Sequence, residues 1–427
     1  MQNKNALALL LTANFVSGIA QGITMLAIPW YFFNIIDEAK FFGYLYAIIT
    51  ISTLPWNIFA GSLIDKYSRK KIFMGITSIS GLLIGLIALY GFSQNGLSIN
   101  LIALVFIITI LNFSIHYPTL YAFGQEITEK SKYHKLSTYF EIQNQVGSMF
   151  SGAIAVILLS GVDASGLNFL GLNLNLPFEI EAWPIHKIFA VDAITYFIAF
   201  TLILLLKYKS FKPNKEESRS TVQRIRAGFT YLKDNPLLLM FGTLTLSVFI
   251  VILVEAFLLL PQYVANHLNE SADVFASGDI YYSLGAILAG FITVRLFKQT
   301  TTLKGIIVLM MIAGGIFIWI AFTFSLFVFY LISLLIGFTN AGVRILRVTY
   351  LFRHINNDIM GRVSSIFSMT HIVFRALLIY IFSYTFFTES NNVIYAYLIS
   401  GVFVLISIIP LLINYKTLVA LKINETS

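Results

Sequence analysis

Ionisable side chains inside long apolar segments are the residues of this sequence best suited to chemistry. Glu255 and Arg375 each lie within such a segment. A charge in hydrocarbon costs at least roughly 2.5–3.5 kcal/mol on insertion scales, so residues of this kind usually have a function. Glu255 is a candidate to bind and release a proton under the influence of Arg375 and of a bound substrate. The alternative is a permanent salt bridge between the two residues.

His116, His371 and Glu141 are further candidates, and each has a structural alternative. Histidine titrates near neutral pH, which suits proton exchange. A neutral, hydrogen-bonded packing histidine is equally compatible with both positions. Glu141 lies at the start of a predicted helix, where it can either meet substrate or interact favourably with the helix N-terminus. The candidates for proton coupling are therefore Glu255, Glu141 and His371.

Polar residues recur at steps of three and four along four apolar segments. This periodicity places them on one helix face, as expected for helices that line a polar pathway, although it also serves helix packing. The four stripes are Asn14, Ser17, Gln21 and Thr24; Thr50, Thr53, Asn57 and Gly61; Ser333, Gly337, Asn340, Arg344 and Arg347; and Ser364, Ser368, His371 and Arg375. The predicted substrate cavity is lined by Asn14, Gln21, Asn57, His116, Asn144, Asn340, His371 and Arg375.

The elements that position these residues must be membrane-spanning helices. Of the 427 residues, 58% are hydrophobic and only 11% are charged, whereas soluble domains carry roughly 25% charged residues. A helix needs about 20 apolar residues to cross a bilayer. Twelve stretches meet this requirement, near residues 6–28, 41–64, 72–92, 101–124, 138–161, 186–206, 237–262, 275–297, 303–323, 326–346, 363–387 and 393–414. The first is interpreted as a retained helix, since it lacks a small-residue cleavage site.

Basic residues between the spans predict the orientation of the chain. Most of the 28 Lys and Arg residues fall in connections on one side, above all in the stretch from Lys207 to Lys233. The positive-inside rule therefore predicts that both termini are cytoplasmic. This topology accounts for the net charge of +8 without a nucleic-acid partner. The long connection divides the chain into an N-terminal six-helix bundle (1–206), a cytoplasmic linker (207–236) and a C-terminal six-helix bundle (237–427).

The end of the second span carries a recognisable motif. Gly61-Ser-Leu-Ile-Asp65-Lys-Tyr-Ser-Arg69-Lys-Lys71 resembles a loop motif of the major facilitator superfamily, with Ser68 in place of the usual glycine. Three further segments resemble the macrolide and siderophore exporter branch of the drug efflux permeases, and the resemblance extends over essentially the whole chain. These segments are residues 189–197, 228–238 and 360–363.

The resemblance implies a fold and a set of gate residues. The fold is an all-α integral membrane protein with twelve transmembrane helices in two six-helix bundles, which works by alternating access and is driven by protons. Gly61 permits close helix approach, and Asp65 can accept a hydrogen bond from Arg69. Asp192 has the position of an aspartate of that branch, and a structural role is favoured for it. The predicted gate and structural residues are Gly61, Asp65, Arg69, Gly361, Arg362 and Asp192.

The predicted function is export of a lipophilic or amphipathic, drug-like molecule by proton antiport. The 39 Phe, 22 Tyr and 4 Trp residues suit an apolar cavity with few polar anchors. The alternatives are a lysolipid or an anionic siderophore attracted by Arg375, or a membrane enzyme or receptor that transports nothing. We expect a monomer in the bacterial inner (plasma) membrane, in contact with lipid and protons.

Several other kinds of protein are excluded by missing residues. The chain has no cysteine, which removes disulfides and thiolate metal sites. It also lacks the patterns GxxxxGK[ST], HExxH and GxSxG. Their absence argues against a transporter driven by nucleotide hydrolysis in this chain and against two common types of hydrolase. We therefore expect neither enzymatic activity nor a cofactor or metal. The loop 161–185 alternates apolar and polar residues, so a short strand and an interfacial segment both remain open.

Overall fold

The computed structural model describes residues 4–129, 133–162, 167–170, 172–174, 179–207, 221–297, 302–355 and 357–421. Within these ranges, 12 helical stretches are long and apolar enough to cross a membrane. They correspond one to one to the predicted spans, so the prediction of a twelve-span, all-α membrane protein is confirmed. The side chains of Asp65 and Glu141, two of the predicted functional residues, lie outside the described part of the chain.

Most of the helices follow one another with short connections, and the longest connection, residues 161–184, lies between α5 and α6. The first six spans are formed by α1 (Lys4–Asn34), α2 (Ala39–Lys66), α3 (Arg69–Gln94), α4 (Ile99–Ile127), α5 (Tyr133–Ser160) and α6 (Ile185–Leu205). Beyond them lie α7 (Thr221–Asp234), α8 (Pro236–Leu244), α9 (Ser247–Val254), α10 (Leu260–Gln262), α11 (Ala272–Leu296), α12 (Thr302–Ile320), α13 (Leu326–His354), α14 (Asn357–Phe382), α15 (Thr385–Thr388), α16 (Val393–Ile413) and α17 (Tyr415–Val419).

A small β-hairpin lies between α5 and α6. Strands β1 (Leu167–Phe169) and β2 (Leu172–Leu174) pair antiparallel, with Leu167 opposite Leu174. An isolated bridge joins Val162 to Ile180. This loop therefore contains short strands. An interfacial position for it stays a prediction.

The seventh span is interrupted several times. It runs from Pro236 to His267 as α8, α9 and α10, with π-helical turns at Glu255–Leu259 and Tyr263–His267. The hydroxyl of Thr245 donates to the carbonyl of Phe241 at 2.6 Å, a bond of the kind that bends helices. Pro261 supplies no backbone N–H donor. The span is therefore a series of short segments, and π-helical turns of this type are frequent at functional sites.

The chain forms two compact units. The first comprises Met1–Asp37, Ser52–Glu217 and Ser271–Ile280. Helices embedded in lipid gain little from removing apolar surface from water, so close packing holds them together. The core of this unit includes fully buried side chains from each of the helices α1, α3, α4, α5 and α6, among them Leu10, Phe73, Phe123, Phe140 and Ile203.

The second unit comprises Glu38–Ile51, Ser218–Glu270 and Tyr281–Ser427. Glycines allow its helices to approach closely. A Cβ atom at Gly337 in α13 would lie 1.9 Å from the carbonyl oxygen of Tyr282 in α11, and one at Gly285 would lie 1.8 Å from that of Leu334. Only glycine fits such backbone contacts. The predicted division of the chain into two six-helix bundles joined by a linker at residues 207–236 is not tested by these two units and stays a prediction.

Candidate functional site

The helix α14 presents two accessible faces of opposite character. Ser364 and Ser368 are exposed and His371 and Arg375 are half-buried, all at steps of three or four residues. At about 100° per residue, these four form one stripe. Exposed apolar side chains lie on the opposite side of the helix: Val373, Leu377, Tyr380 and Ile381. The apolar face suits lipid, whereas the polar stripe requires water or a polar ligand.

Arg375 packs its guanidinium group over an aromatic ring. Its Cζ lies 5.9 Å from the ring centroid of Tyr46. Tyr46 is itself 1% exposed, and its hydroxyl donates to the carbonyl of Leu253 at 3.1 Å. The Nε atom of Arg375 is buried without a hydrogen-bond partner. One helical turn away, the ring of His371 lies 5.3 Å from that of Phe249.

Glu255 begins the first π-helical turn of the seventh span and is 5% exposed. The hydroxyl of Tyr397 in α16 donates to its Oε1 at 3.4 Å. The ring of Tyr397 in turn lies 5.1 Å from that of Tyr263. Glu255 and Arg375 therefore contact different tyrosines. The predicted pairing between them stays a prediction.

Asn14 and His116 meet in a buried hydrogen-bonded network of the first unit. The amide of Gln143 donates to the carbonyl of Leu11, which can only accept. This fixes the Gln143 oxygen as the acceptor for Asn14 Nδ2, at 3.1 Å. The remaining Asn14 oxygen must accept from His116 Nε2, at 2.8 Å. His116 therefore carries its proton on Nε2 when neutral, and its Nδ1 is buried without a hydrogen-bond partner.

The other predicted cavity residues have varied environments. Gln21 is buried, and its Nε2 has no hydrogen-bond partner. Asn57 is exposed and Asn144 is half-buried. Asn340 in the second unit donates to the hydroxyl of Tyr282 at 2.6 Å. Their role as cavity residues stays a prediction.

Asp192 is completely buried within the first unit. The hydroxyl of Thr24 in α1 donates to its Oδ2 at 3.0 Å, while its Oδ1 has no hydrogen-bond partner. The contact joins α1 to α6, which agrees with a structural role for this aspartate.

The predicted gate motif contains a helix cap, a lysine that donates to backbone carbonyls, and an ion pair. The side chain of Ser68 caps α3 by accepting from the Lys71 amide at 3.3 Å, a role that glycine could not fill. Lys70 donates to the carbonyls of Leu204 and Leu206 at the end of α6. The motif predicts Asp65 as the partner of Arg69, and the side chain of Asp65 lies outside the described part of the chain. The ion pair that the structure gives for Arg69 is to Glu126, with Nε 3.2 Å from Oε1.

Two of the three remaining gate candidates lie at the start of α14. Gly361 is exposed, and among the described residues no atom beyond its chain neighbours and its own helix backbone lies within 4 Å of where its Cβ would be. The same holds for Gly61 in α2. Arg362 is half-buried, and its carbonyl oxygen would lie 2.6 Å from a Cβ on Gly228. The start of α14 therefore packs directly on α7.

Sequence reasoning missed Asp279, a carboxylate inside the eighth span. Ser148 in α5 donates to its Oδ2 at 2.7 Å. The two helices are close here because Gly152 faces the α11 backbone, where a Cβ would lie 3.0 Å from the Ala276 carbonyl oxygen. An acidic residue within the predicted span 275–297 was the available signal. Among the described residues, no three His, Asp or Glu side chains form a group that could hold a metal ion.

Comparison with known families decides the class of protein. The profile of the Major Facilitator Superfamily matches residues 10–378 of the chain. The chain belongs to the major facilitator superfamily. This major facilitator protein is accordingly a multi-pass secondary active transporter of a small molecule and not an enzyme. The exporter branch that the sequence resembles is a finer assignment than this match makes.

Solved structures share its fold at low sequence identity. The POT family transporter PepTSo has a TM-score of 0.71 and 12% identity, covering 98% of this chain and 99% of that one. A D-xylose–proton symporter has 0.68 and 12%, covering 96% and 97%. A bacterial homologue of the iron transporter ferroportin in an inward-facing state has 0.68 and 14%, covering 96% and 99%. The predicted major facilitator fold is confirmed; no curated protein matches the chain.

Proposed function

We propose that this transporter exports a lipophilic or amphipathic small molecule across the bacterial inner membrane in exchange for protons. The observation that carries the proposal is the accessible polar stripe on α14, opposite the apolar face of the same helix. An amphipathic molecule needs a pathway that offers a few polar anchors among apolar side chains. The half-buried His371 and Arg375 supply the anchors, and Phe249 supplies an aromatic neighbour.

Glu255 is the proposed proton carrier. Its carboxyl group is buried and accepts a hydrogen bond from Tyr397. When ionised it gains from that bond, and when protonated it can itself donate, so proton uptake changes which neighbour it binds. The interrupted helix around it allows such a change at low cost, since its backbone is already irregular there. Asp279 is a second candidate, because Ser148 donates to it in the same way.

The cytoplasmic side is proposed to close through the motif after α2. Asp65, Arg69 and Arg362 are the proposed contributors, and both termini are proposed to be cytoplasmic. The ion pair from Arg69 to Glu126 supports a role for this region in holding α3 and α4 together. A protein with a weakened closure would spend more time open to the cytoplasm.

A second cargo class is supported by one residue. Arg375 has a buried donor atom without a hydrogen-bond partner, which favours an anionic siderophore or a lysolipid over a neutral drug. The alternative of a membrane enzyme or receptor has no support, since the family consists of transporters.

Efflux from substrate-loaded proteoliposomes tests the proposal. Hydrophobic dyes, macrolides, catechol siderophores and lysolipids are screened with and without an imposed proton gradient. We expect gradient-dependent movement of at least one of them, and loss of the gradient effect in Glu255→Gln. Glu389→Gln is the matched control, because Glu389 is an exposed acid at the end of α15.

The possible outcomes separate the parts of the proposal. Movement that ignores the proton gradient would remove proton coupling and keep export. A gradient effect that survives in Glu255→Gln and disappears in Asp279→Asn would move the proton site to α11. Failure of every compound would refute the proposed lipophilic or amphipathic cargo.

A further inference from the structure

Arg347 and Arg375, two arginines of the second unit, have very different contacts with the rest of the protein. Arg347 in α13 donates from Nε to the hydroxyl of Thr245 at 3.1 Å and from one terminal nitrogen to the carbonyl of Gly242 at 3.2 Å. Its guanidinium also lies 5.2 Å from the centroid of Phe367. This residue therefore has the contacts expected of a structural arginine that ties α13 to the bend of the seventh span.

Arg375 has no comparable set. Within the part of the chain that the structure describes, it contacts the ring of Tyr46, at 5.9 Å, and its buried Nε has no hydrogen-bond partner. A buried donor without an acceptor is costly, and a ring face compensates only part of the charge. Arg375 lies seven residues before Phe382, the end of α14, which is about 10 Å at 1.5 Å per residue. The guanidinium group of Arg375 therefore lies well inside the helical span, and its Nε is a donor that no described acceptor uses.

The surroundings of Arg375 favour a negative ligand. His371 lies one helical turn from Arg375 on the same polar stripe and places no negative charge beside it. A guanidinium group presents planar, paired donors that match a carboxylate or a phosphate. The accessible polar stripe that carries Arg375 gives such a group a way to reach it.

We propose that Arg375 is a substrate-binding residue and that the cargo is an anionic amphiphile, whose carboxylate or phosphate binds this guanidinium. The apolar part of the molecule packs along the same face, against side chains such as Phe249, which is half-buried. The inference rests on the proposed transport function and narrows its substrate class. Arg347, by contrast, is not expected to contact the cargo, because its donors already bond within the protein.

Matched probes test the charge requirement directly. Pyrenebutyric acid and its neutral primary amide share one skeleton and differ in the anionic group. Binding to the purified full-length protein in lipid nanodiscs is followed by pyrene fluorescence. We expect the acid to bind about ten- to hundredfold more tightly than the amide, as a charge-assisted hydrogen bond would give. Arg375→Gln should abolish this preference, and Arg375→Lys should retain part of it. Arg295→Gln is the control, because Arg295 is an exposed arginine in the last turn of α11.

The outcomes distinguish this inference from the transport function. If acid and amide bind equally to the wild-type protein, or if neither binds, the inference is overturned. Gradient-driven efflux of a neutral dye would then still support export. An acid preference that persists in Arg375→Gln would also overturn it. Competition with lysophosphatidate and with free benzoate separates the two sources of the anion: displacement by lysophosphatidate alone indicates a lipid cargo, and displacement by benzoate a soluble one. If Arg375→Gln does not fold, the acid-to-amide ratio of the wild type and of Arg375→Lys still decides.

Discussion

Gly337 lies where α13 crosses α11, and it offers a quantitative test of the packing in the second unit. A Cβ at this position would lie 1.9 Å from the carbonyl oxygen of Tyr282, whereas ordinary contact begins at 3.4 Å. The difference means that Gly337→Ala forces the two backbones apart by roughly 1.5 Å. Overpacking of this kind costs about 1–3 kcal/mol. The upper part of that range is expected, because the obstacle is backbone and cannot rotate away.

Gly315→Ala is the matched control. Gly315 lies in α12 and is exposed, and no described atom beyond its chain neighbours and its own helix backbone lies within 4 Å of its Cβ position. Both substitutions gain about 1 kcal/mol of helix propensity in the same way. The difference in the free energy of unfolding between the two variants therefore isolates the cost of the crossing.

Unfolding of the purified protein in mixed detergent micelles, titrated with SDS and followed by circular dichroism, measures this difference. We expect Gly337→Ala to be less stable than Gly315→Ala by about 1–3 kcal/mol. Equal stability of the two variants, or a more stable Gly337→Ala, would refute the close crossing of α11 and α13.

Two further predictions concern polar contacts of the first unit. Thr24→Val should lower the free energy of unfolding by about 1.5–3 kcal/mol, because Asp192 loses the donor bonded to its Oδ2; thermal melting in detergent measures it, and Thr201→Val, which changes an exposed threonine bonded within its own helix, should have a much smaller effect. Lys70→Gln should loosen the end of α6 by about 0.3–1 kcal/mol, since a cation there stabilises the last carbonyls; faster amide hydrogen exchange over residues 202–206 is the expected result, and unchanged exchange would contradict the contact.

The spans could be predicted from the sequence because length and apolar composition decide them. The stretch predicted at 101–124, for example, is α4, which runs from Ile99 to Ile127. Lipid offers no partner for backbone polar groups, so an apolar stretch of this length has few alternatives to a helix. The same reasoning says nothing about where such a helix bends. The interruption at Thr245 depends on a hydroxyl that bonds its own backbone, and a threonine elsewhere often does so without consequence.

The neighbours of the polar residues could not be predicted from the sequence. Periodicity places Asn14 on one face of α1, but it does not say that Gln143 and His116 lie opposite it. The loop motif predicts Asp65 as an acceptor for Arg69, and nothing in the sequence points to the ion pair that Arg69 forms with Glu126 at the end of α4. Contacts between residues far apart in the chain depend on how helices are arranged, which a single sequence does not display.

The two π-helical turns of the seventh span have a mechanical consequence. A π-helical turn holds one residue more than an α-helical turn, so converting one into the other shifts the register of the chain by one position. Every side chain on one side of the conversion then rotates by about 100° and moves about 1.5 Å along the axis. Glu255 is the first residue of such a turn. Conversion of this five-residue turn can therefore redirect its carboxyl group by turning one segment of the span about its own axis. The seventh span thereby contains a rotary adjustment, and its setting can differ between two otherwise similar conformations of the transporter.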